Sequence, residues 1–215
     1  MKRIIIGGTS HQAGKTALGE VLVRTLRPER WAAAKVTVIE SDEEVASHFT
    51  DASRIPEFEA HGYVVISEEA IIRQPSSDTG RLVAAGAWPV LWVMARPDRL
   101  RTAWDEAEGL LGDVPGIIIE SSRLALSLPA DLTLCVIGLH VPPSRWKADA
   151  PALISRAEIV IVAGAPEGDL KVSRIIADIR RQRRGRPLII CGSVEEAVTT
   201  AEMRQRLVAL RTPRP

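Results

Sequence analysis

Nine residues near the start of the chain have the types and spacing of a phosphate-binding loop. They are Gly8, Thr9, Ser10, His11, Gln12, Ala13, Gly14, Lys15 and Thr16. Small residues allow backbone N–H groups to point inward around a phosphate, Lys15 adds a positive charge, and the Thr16 hydroxyl can ligate Mg²⁺. The sequence therefore predicts that this loop binds the phosphates of a nucleotide. An ordinary exposed turn is the competing interpretation.

The spacing within this loop departs from the common pattern by one residue. The glycine that precedes Gly14 is Gly8, six positions back, because Thr9 stands where the common pattern has glycine. The surroundings nevertheless match a phosphate loop. A run of three isoleucines before the loop predicts a strand, and residues 16–26 carry apolar side chains at helical spacing. The N-terminus of such a helix carries a partial positive charge, which favours the same anion.

Three carboxylates are candidates for completing a Mg²⁺ site beside Thr16. In nucleotide sites this ion takes one or two carboxylates together with substrate phosphates. Glu120 ends an apolar strand-like run, so we expect it to hold the metal or position a water, with a solvated strand end as the alternative. Asp78 is an equal candidate for a metal ligand and for a simple helix N-cap. Asp42 belongs to an acidic run, which is more typical of a solvated surface.

Lys35 lies inside an otherwise apolar strand-like run, where an unpaired ammonium group is costly. Contact with a phosphate or with a substrate carboxylate would remove that cost, and a side chain that leaves the core at a strand edge is the alternative. His11 is expected to be a polar loop residue rather than a catalytic one. The candidate catalytic residues are Lys15, Glu120 and Lys35, and the candidate metal ligands are Thr16, Asp78 and Glu120.

Length and charge exclude several classes of protein. The 215 residues fit one domain spanning residues 1–215, and a net charge of +1 gives no global field that would attract nucleic acid. No apolar stretch approaches the roughly 18–20 residues of a membrane span, and the N-terminus enters the first strand without a signal peptide. We expect a soluble cytoplasmic protein whose partner is a nucleotide and not nucleic acid or a membrane. Oligomeric state stays open, a homodimer among the options.

Strand-like and helical patterns alternate along the chain. Apolar runs near residues 31–39, 88–95, 116–120, 130–138, 158–163 and 188–191 predict strands, with helices between most of them. Strands that are apolar throughout must be covered by helices on both faces, which predicts an α/β fold with a mostly parallel sheet. The ligand of such a sheet lies at the carboxyl ends of its strands. Cys135 and Cys191 fall within these runs and are expected to be buried thiols in a reducing compartment.

Some segments are less regular. Residues 41–61 are polar and poorly patterned, as in a long functional or mobile loop. Residues 63–66 and 70–72 resemble a short hairpin, although a helical interpretation of the second half is nearly as good. The arginine-rich segment 180–186 is expected to be a solvated helix face near a helix C-terminus. Trp146, in a proline-rich loop, is expected to pack on its own domain rather than to stack on a base.

Several of these segments together resemble the family of the molybdopterin-guanine dinucleotide biosynthesis adaptor protein, a P-loop nucleotide-binding protein, and its relatives, which include dethiobiotin synthetase. The resemblance rests on the loop from Gly8 to Thr16, Lys35, residues 78–87 and Glu120. The spacing of the loop glycines is more like that of dethiobiotin synthetase. The resemblance covers roughly the first 120 residues.

Two departures separate the chain from the adaptor pattern. The histidine-containing continuation after the strand lysine is replaced by Val36, Thr37 and Val38. Glu120 is followed by Ser121 and not by the usual glycine. The resemblance therefore supports phosphate binding more strongly than it supports a role in the biosynthetic pathway of the adaptor.

The resemblance implies a three-layer α/β/α P-loop nucleoside-triphosphatase fold that uses Mg²⁺ and GTP or ATP. It further implies slow hydrolysis in molybdenum-cofactor maturation, with a cofactor-biosynthesis enzyme as partner. One alternative is ATP-dependent phosphoryl transfer or ligation on a small carboxylate or hydroxyl substrate, with Lys35 binding that substrate, as in dethiobiotin synthetase. Another is a noncatalytic partner-binding protein with a decayed nucleotide site. The sequence does not decide between guanine and adenine as the base, because the chain has no Asn-Lys-x-Asp signature for guanine.

Overall fold

A central sheet with helices on both faces organises the chain. The structure, a computed structural model, describes residues 1–49, 52–164 and 169–211. The strands of the described residues are β1 Lys2–Gly8, β2 Ala32–Val38, β3 Tyr63–Ile66, β4 Val90–Ala95, β5 Gly116–Glu120, β6 Leu132–Ile137, β7 Ile159–Ala163 and β8 Leu188–Cys191. Their order in the sheet is β3-β4-β2-β5-β1-β6-β7-β8. Among these strands only β3 runs antiparallel to its neighbour, so the predicted mostly parallel sheet is confirmed.

Strand β1 shows why helices must cover both faces of the sheet. Ile4, Ile5 and Ile6 are all fully buried, and successive side chains of a strand point to opposite faces. Ile4 and Ile6 therefore pack into the core on one face, whereas Ile5 packs into the core on the other. A strand that is buried on both sides is typical of a parallel sheet between two helical layers.

Helices form the two outer layers. The α-helices of the described residues are α1 Lys15–Thr25, α2 Asp42–His48, α3 Ile55–His61, α4 Glu69–Ile72, α5 Asp78–Ala85, α6 Leu100–Gly109, α7 Leu124–Ser127, α8 Ala150–Arg156, α9 Leu170–Arg183, α10 Val194–Thr199 and α11 Ala201–Arg211. Helices α1 to α5, α10 and α11 contribute to the core on the Ile4 face. Helices α6 to α9 contribute to the core on the Ile5 face. The result is the three-layer α/β/α arrangement that the sequence predicts.

The expectation of a long unstructured stretch over residues 41–61 is wrong for its described part. Two helices, α2 and α3, lie there with a short 3-10 turn, Ala52–Arg54, between them. Val45 and Phe58 are buried and anchor these helices to the core. One apolar anchor per short helix is too weak a pattern for periodicity to detect. Residues 50 and 51 of this stretch lie outside the described residues.

The hairpin suggested for residues 63–72 does not form. Its first half is strand β3, which pairs with β4, and its second half is helix α4, in agreement with the helical alternative. In the following helix, α5, the N-cap is Ser77 and not Asp78, the residue that the sequence analysis offered as a cap. Ser77 caps α5 by accepting a hydrogen bond from the amide of Gly80, and Gly86 ends it with φ 110°.

The arginine-rich segment is only partly the solvated face that the sequence suggested. Arg183 is 2% exposed, and its guanidinium donates to the carbonyls of Ile154, Ala157 and Glu158 at 2.6, 3.1 and 2.8 Å. These carbonyls lie at the C-terminal end of α8, where backbone acceptors lack partners within the helix. Arg183 therefore joins α9 to the end of α8.

The remaining expectations about burial are met. Cys135 and Cys191 are both buried and free. Trp146 packs against the core on the Ile5 face, and its indole N–H donates to the carbonyl of Val141. In the part of the chain that the structure describes, no helix combines the length and the apolar character that crossing a bilayer requires.

Candidate functional site

The parallel register brings the candidate residues to one edge of the sheet. Glu120, the last residue of β5, lies opposite Ile6 of β1 on one side and opposite Lys35 of β2 on the other. The loop that follows β1 therefore begins beside Glu120. The Lys15 ammonium lies 3.8 Å from Oε1 of Glu120, so the two residues share this edge, as predicted.

The loop between β1 and α1 has the shape of a backbone cradle. Thr9 and Ser10 are buried, whereas His11 and Gln12 are exposed at its crest. Gln12 and Gly14 have positive φ values, 57° and 101°, in the left-handed region that few side chains tolerate. No hydrogen bond between described residues engages the amides of residues 10–14.

Gly8 permits the close approach of Lys15. A Cβ atom at position 8 would lie 3.0 Å from Cγ of Lys15 and 3.1 Å from Cβ of Ala13. Such contacts are tighter than ordinary van der Waals distances, so a side chain here would displace the lysine. Gly8 therefore leaves the space that the Lys15 side chain occupies.

Thr16, Asp78, Glu120 and Lys35 form one cluster, which we call the carboxylate cluster. The Lys35 ammonium lies 2.6 Å from Oδ2 of Asp78 and 2.7 Å from Oε1 of Glu120. The Thr16 hydroxyl lies 3.0 Å from Oδ1 of Asp78 and 2.7 Å from Oε2 of Glu120. That hydroxyl has a single proton and cannot donate fully to both carboxylates at once.

The charges of the cluster are mutually stabilised. Burial alone would lower the pKa of Lys35, but the charge of Glu120 and the hydrogen bonds to both carboxylates outweigh it, so the pKa of Lys35 is raised. Burial likewise opposes ionisation of Asp78, yet the hydrogen bond and charge of Lys35 keep the pKa of Asp78 below its ordinary value. Lys15 differs, because burial lowers its pKa and Glu120 offsets this only in part. Both Lys35 and Asp78 therefore stay charged near neutral pH.

A cavity of about 860 Å³ opens in front of this cluster. Its lining includes Lys15, Lys35, Asp78 and Glu120, and also Glu40, Glu44, His48 and Trp92. Asp42, the weakest carboxylate candidate, does not line it. That residue is largely exposed and pairs with Arg96 instead.

Sequence analysis missed three residues of this region. Ser122 both donates to the carbonyl of Gly8 and accepts from its amide, each at 3.1 Å, and so holds the start of the loop. Lys147 and Asp149 line the cavity from the segment that follows β6. Ser122 lies only two positions after Glu120, a proximity that could have drawn attention to it. Lys147 and Asp149 carry no local signal of this kind.

The residues present fit an anion and a divalent cation. The amides of the loop and the N-terminus of α1, which lacks both a side-chain cap and an acidic first turn, suit an anion. One carboxylate oxygen of Asp78 and one of Glu120 lie at 3.0 and 2.7 Å from the Thr16 hydroxyl, a grouping of oxygens that suits magnesium. Among the described residues, no group of three or more His, Cys, Asp or Glu side chains is arranged so that it could hold a metal ion by itself. A metal here would therefore need further ligands from a bound phosphate.

The fold and the loop together define the class: a P-loop nucleoside-triphosphatase fold. Among solved structures, the chain is similar to HypB from Helicobacter pylori, determined in complex with nickel, with 14% identity, a TM-score of 0.54, and coverage of 99% of this chain and 90% of that one. It is also similar to the MinC:MinD cell division complex of Aquifex aeolicus, with 13% identity, a TM-score of 0.45, and coverage of 100% and 98%.

These likenesses differ in what they support. At 14% identity the likeness to HypB shows the fold alone, and the second score is too low to support an argument. No protein-family model matches the chain, and no curated protein matches it.

Proposed function

We propose that the chain binds a nucleoside triphosphate, GTP or ATP, together with Mg²⁺ in the loop of residues 8–16 and hydrolyses it slowly. The observation that carries this proposal is the convergence of Thr16, Asp78 and Glu120 beside Lys15. A lysine for the phosphates and three oxygens for a metal lie within one site. That combination is what nucleotide chemistry with Mg²⁺ requires.

In this proposal each residue has a distinct task. Loop amides and the Lys15 ammonium bind the phosphates and stabilise the charge that develops on them. Thr16 and the carboxylates of Asp78 and Glu120 would hold Mg²⁺, which when bound neutralises phosphate charge. Glu120 would in addition orient the attacking water. Lys35 neutralises the two carboxylates in the absence of the metal.

Calorimetric titration with GTP and with ATP in the presence of Mg²⁺ tests this function. We expect binding to one or both by the wild type, and a loss of well over about tenfold in Lys15→Ala, because a charged contact to phosphate is removed. An exposed lysine outside the site, Lys171, gives the control Lys171→Ala. Equal affinity of Lys15→Ala and wild type would contradict the proposal, and an absence of binding would favour a decayed, noncatalytic site.

A second candidate function is transfer of the terminal phosphoryl group to a small carboxylate or hydroxyl substrate, or ligation of that substrate. The observation in its favour is the size of the cavity, about 860 Å³, and a lining that extends beyond the carboxylate cluster to Glu40, Glu44, His48 and Trp92. Under this function Lys35 would contact the second substrate. Phosphate release with nucleotide alone supports hydrolysis, whereas release only after a second substrate is added supports transfer.

A role in molybdenum-cofactor maturation, with a cofactor-biosynthesis enzyme as partner, comes from the sequence resemblance alone. Neither structural likeness supports it. A homodimer likewise remains a prediction, which sedimentation of the purified protein with and without nucleotide would test.

A further inference from the structure

Lys147 enters the nucleotide cavity from the segment between β6 and α8. It lines this cavity together with Lys15 and Lys35. The three lysines therefore approach one space from three different elements: the phosphate loop, strand β2 and the segment after β6. Lys147 is not among the residues to which the proposed function assigns a role.

The backbone of the phosphate loop holds Lys147 in place. Its amide donates to the carbonyl of Thr9 at 2.8 Å. At the other end of the same segment, the amide of Gly138 donates to Oγ1 of Thr9 at 3.1 Å. Trp146, next to Lys147, packs into the core and donates to Val141 at 2.9 Å. The segment of residues 138–147 is therefore hydrogen-bonded to Thr9 at both ends, which fixes the backbone of Lys147 relative to the loop.

The ammonium of Lys147 lacks the compensation that the other lysines have. Lys35 contacts two carboxylates and Lys15 lies near one, whereas Lys147 forms no ion pair with a carboxylate of the described residues. Burial lowers the pKa of Lys147, an effect that the charge of Asp149 opposes. The charge of Lys147 is also the largest influence that lowers the pKa of His11 in the loop. A partly buried cation without a direct carboxylate partner is costly unless a ligand supplies the opposite charge.

We propose that Lys147 binds the terminal phosphate of the nucleotide and so makes the site prefer a triphosphate to a diphosphate. This inference rests on the proposed function. In loops of this type the amides surround the inner phosphates and the loop lysine reaches the outer ones. Lys147 lines the same cavity as Lys15, and its charge lowers the pKa of Lys15, which suits a contact with the outer end of the phosphate chain. The terminal phosphate carries the largest negative charge of the chain, so it is the group that best supplies the direct anionic partner that Lys147 lacks.

Calorimetry with a non-hydrolysable β,γ-imido triphosphate analogue and with the corresponding diphosphate, both with Mg²⁺, tests this inference. The variants are Lys147→Met, which keeps the length of the side chain without its charge, and Lys147→Arg, which keeps the charge. We expect Lys147→Met to weaken the triphosphate analogue by about tenfold or more and the diphosphate by less than about threefold. Lys147→Arg should retain most of the affinity for both. The exposed Lys171 supplies the control Lys171→Met.

Other outcomes separate the two proposals. Equal weakening of both nucleotides, or of neither, would overturn the assignment of Lys147 to the terminal phosphate while leaving the proposed function intact. A result in which neither is weakened would redirect attention to a carboxylate of a second substrate as the anion. Absence of nucleotide binding by the wild type would overturn the proposed function itself and this inference with it. If Lys147→Met fails to fold by circular dichroism, Lys147→Gln replaces it in the same titrations.

Discussion

The ammonium of Lys35 lies 2.7 Å from Oε1 of Glu120. In the proposed function, the Glu120 carboxylate is a ligand of Mg²⁺. Lys35 also contacts Asp78 at 2.6 Å, so one internal cation satisfies both candidate metal ligands. Two carboxylates this close repel each other unless a positive charge lies between them. Lys35 contacts Oδ2 of Asp78 and Oε1 of Glu120, and Thr16 lies beside the other oxygen of each. The lysine and a metal ion therefore compete for the negative charge of the same two carboxylates.

Removal of this internal cation should expose a metal site. In Lys35→Met the carboxylates of Asp78 and Glu120 lose their counter-charge, so we expect Mn²⁺, a probe for Mg²⁺, to bind without nucleotide at least about tenfold more tightly than to wild type. Calorimetry measures the affinity, and the rise in melting temperature on adding Mn²⁺ provides an independent readout. Lys171→Met serves as the control. Equal affinities in the mutant and the wild type would show that Lys35 does not compete with the metal.

The Glu120→Gln substitution separates binding from catalysis. Glutamine keeps the size and a hydrogen-bonding oxygen beside Thr16 but removes the charge. If Glu120 orients the water, turnover should fall by about a hundredfold, while nucleotide affinity changes by only a few fold. Phosphate release and calorimetry measure the two quantities. Glu59→Gln, at an exposed position of α3, is the matched control, and an unchanged rate would shift the role to Asp78.

Arg183 should contribute more to stability than its neighbours in α9. Replacement by Met leaves three carbonyls at the end of α8 without their donor, which should lower the free energy of unfolding by about 3 kcal/mol. Arg180, exposed in the same helix, provides the control Arg180→Met, for which we expect a change below about 0.5 kcal/mol. Urea denaturation measures both. Similar small losses would mean that solvent satisfies those carbonyls.

The buried thiol of Cys135 should make stability depend on pH in alkaline solution. Burial raises its pKa from an ordinary value of 9.0 to about 12. The native thiol therefore keeps its proton above pH 9, where the unfolded chain releases it, so the contribution of this group to stability is complete below pH 9 and declines as pH rises towards 12.

Comparison with Cys135→Ala isolates this effect from all other titrating groups. The difference between the unfolding free energies of wild type and variant should be constant below pH 9. It should then shift against the wild type by about 1.4 kcal/mol per pH unit. Urea denaturation across the alkaline range measures the difference. A difference that stays constant up to pH 11 would show that the native thiol ionises as readily as the unfolded one.

The local order of residues by itself predicted the loop between β1 and α1 and the class of fold. An apolar strand, a loop of small residues, Lys15 and an amphipathic helix are adjacent in the chain, so their relationship depends on no distant contact. The caps of α5 are local in the same way, with Ser77 at its start and Gly86 at its end. Strands that are apolar throughout require cover on both faces, which made the parallel sheet predictable.

The tertiary structure alone decided how the charges pair. Lys35 contacts Asp78 and Glu120 because the register of β2 against β5 places Lys35 opposite Glu120, and no pattern within either strand specifies that register. Arg183 is buried because α9 packs across the end of α8, although the sequence of residues 180–186 predicts a solvated helix face. Lys147 reaches the cavity through a backbone bond to Thr9, 138 positions away in the chain. Such pairings depend on which elements become neighbours, and local propensity and periodicity do not encode that choice.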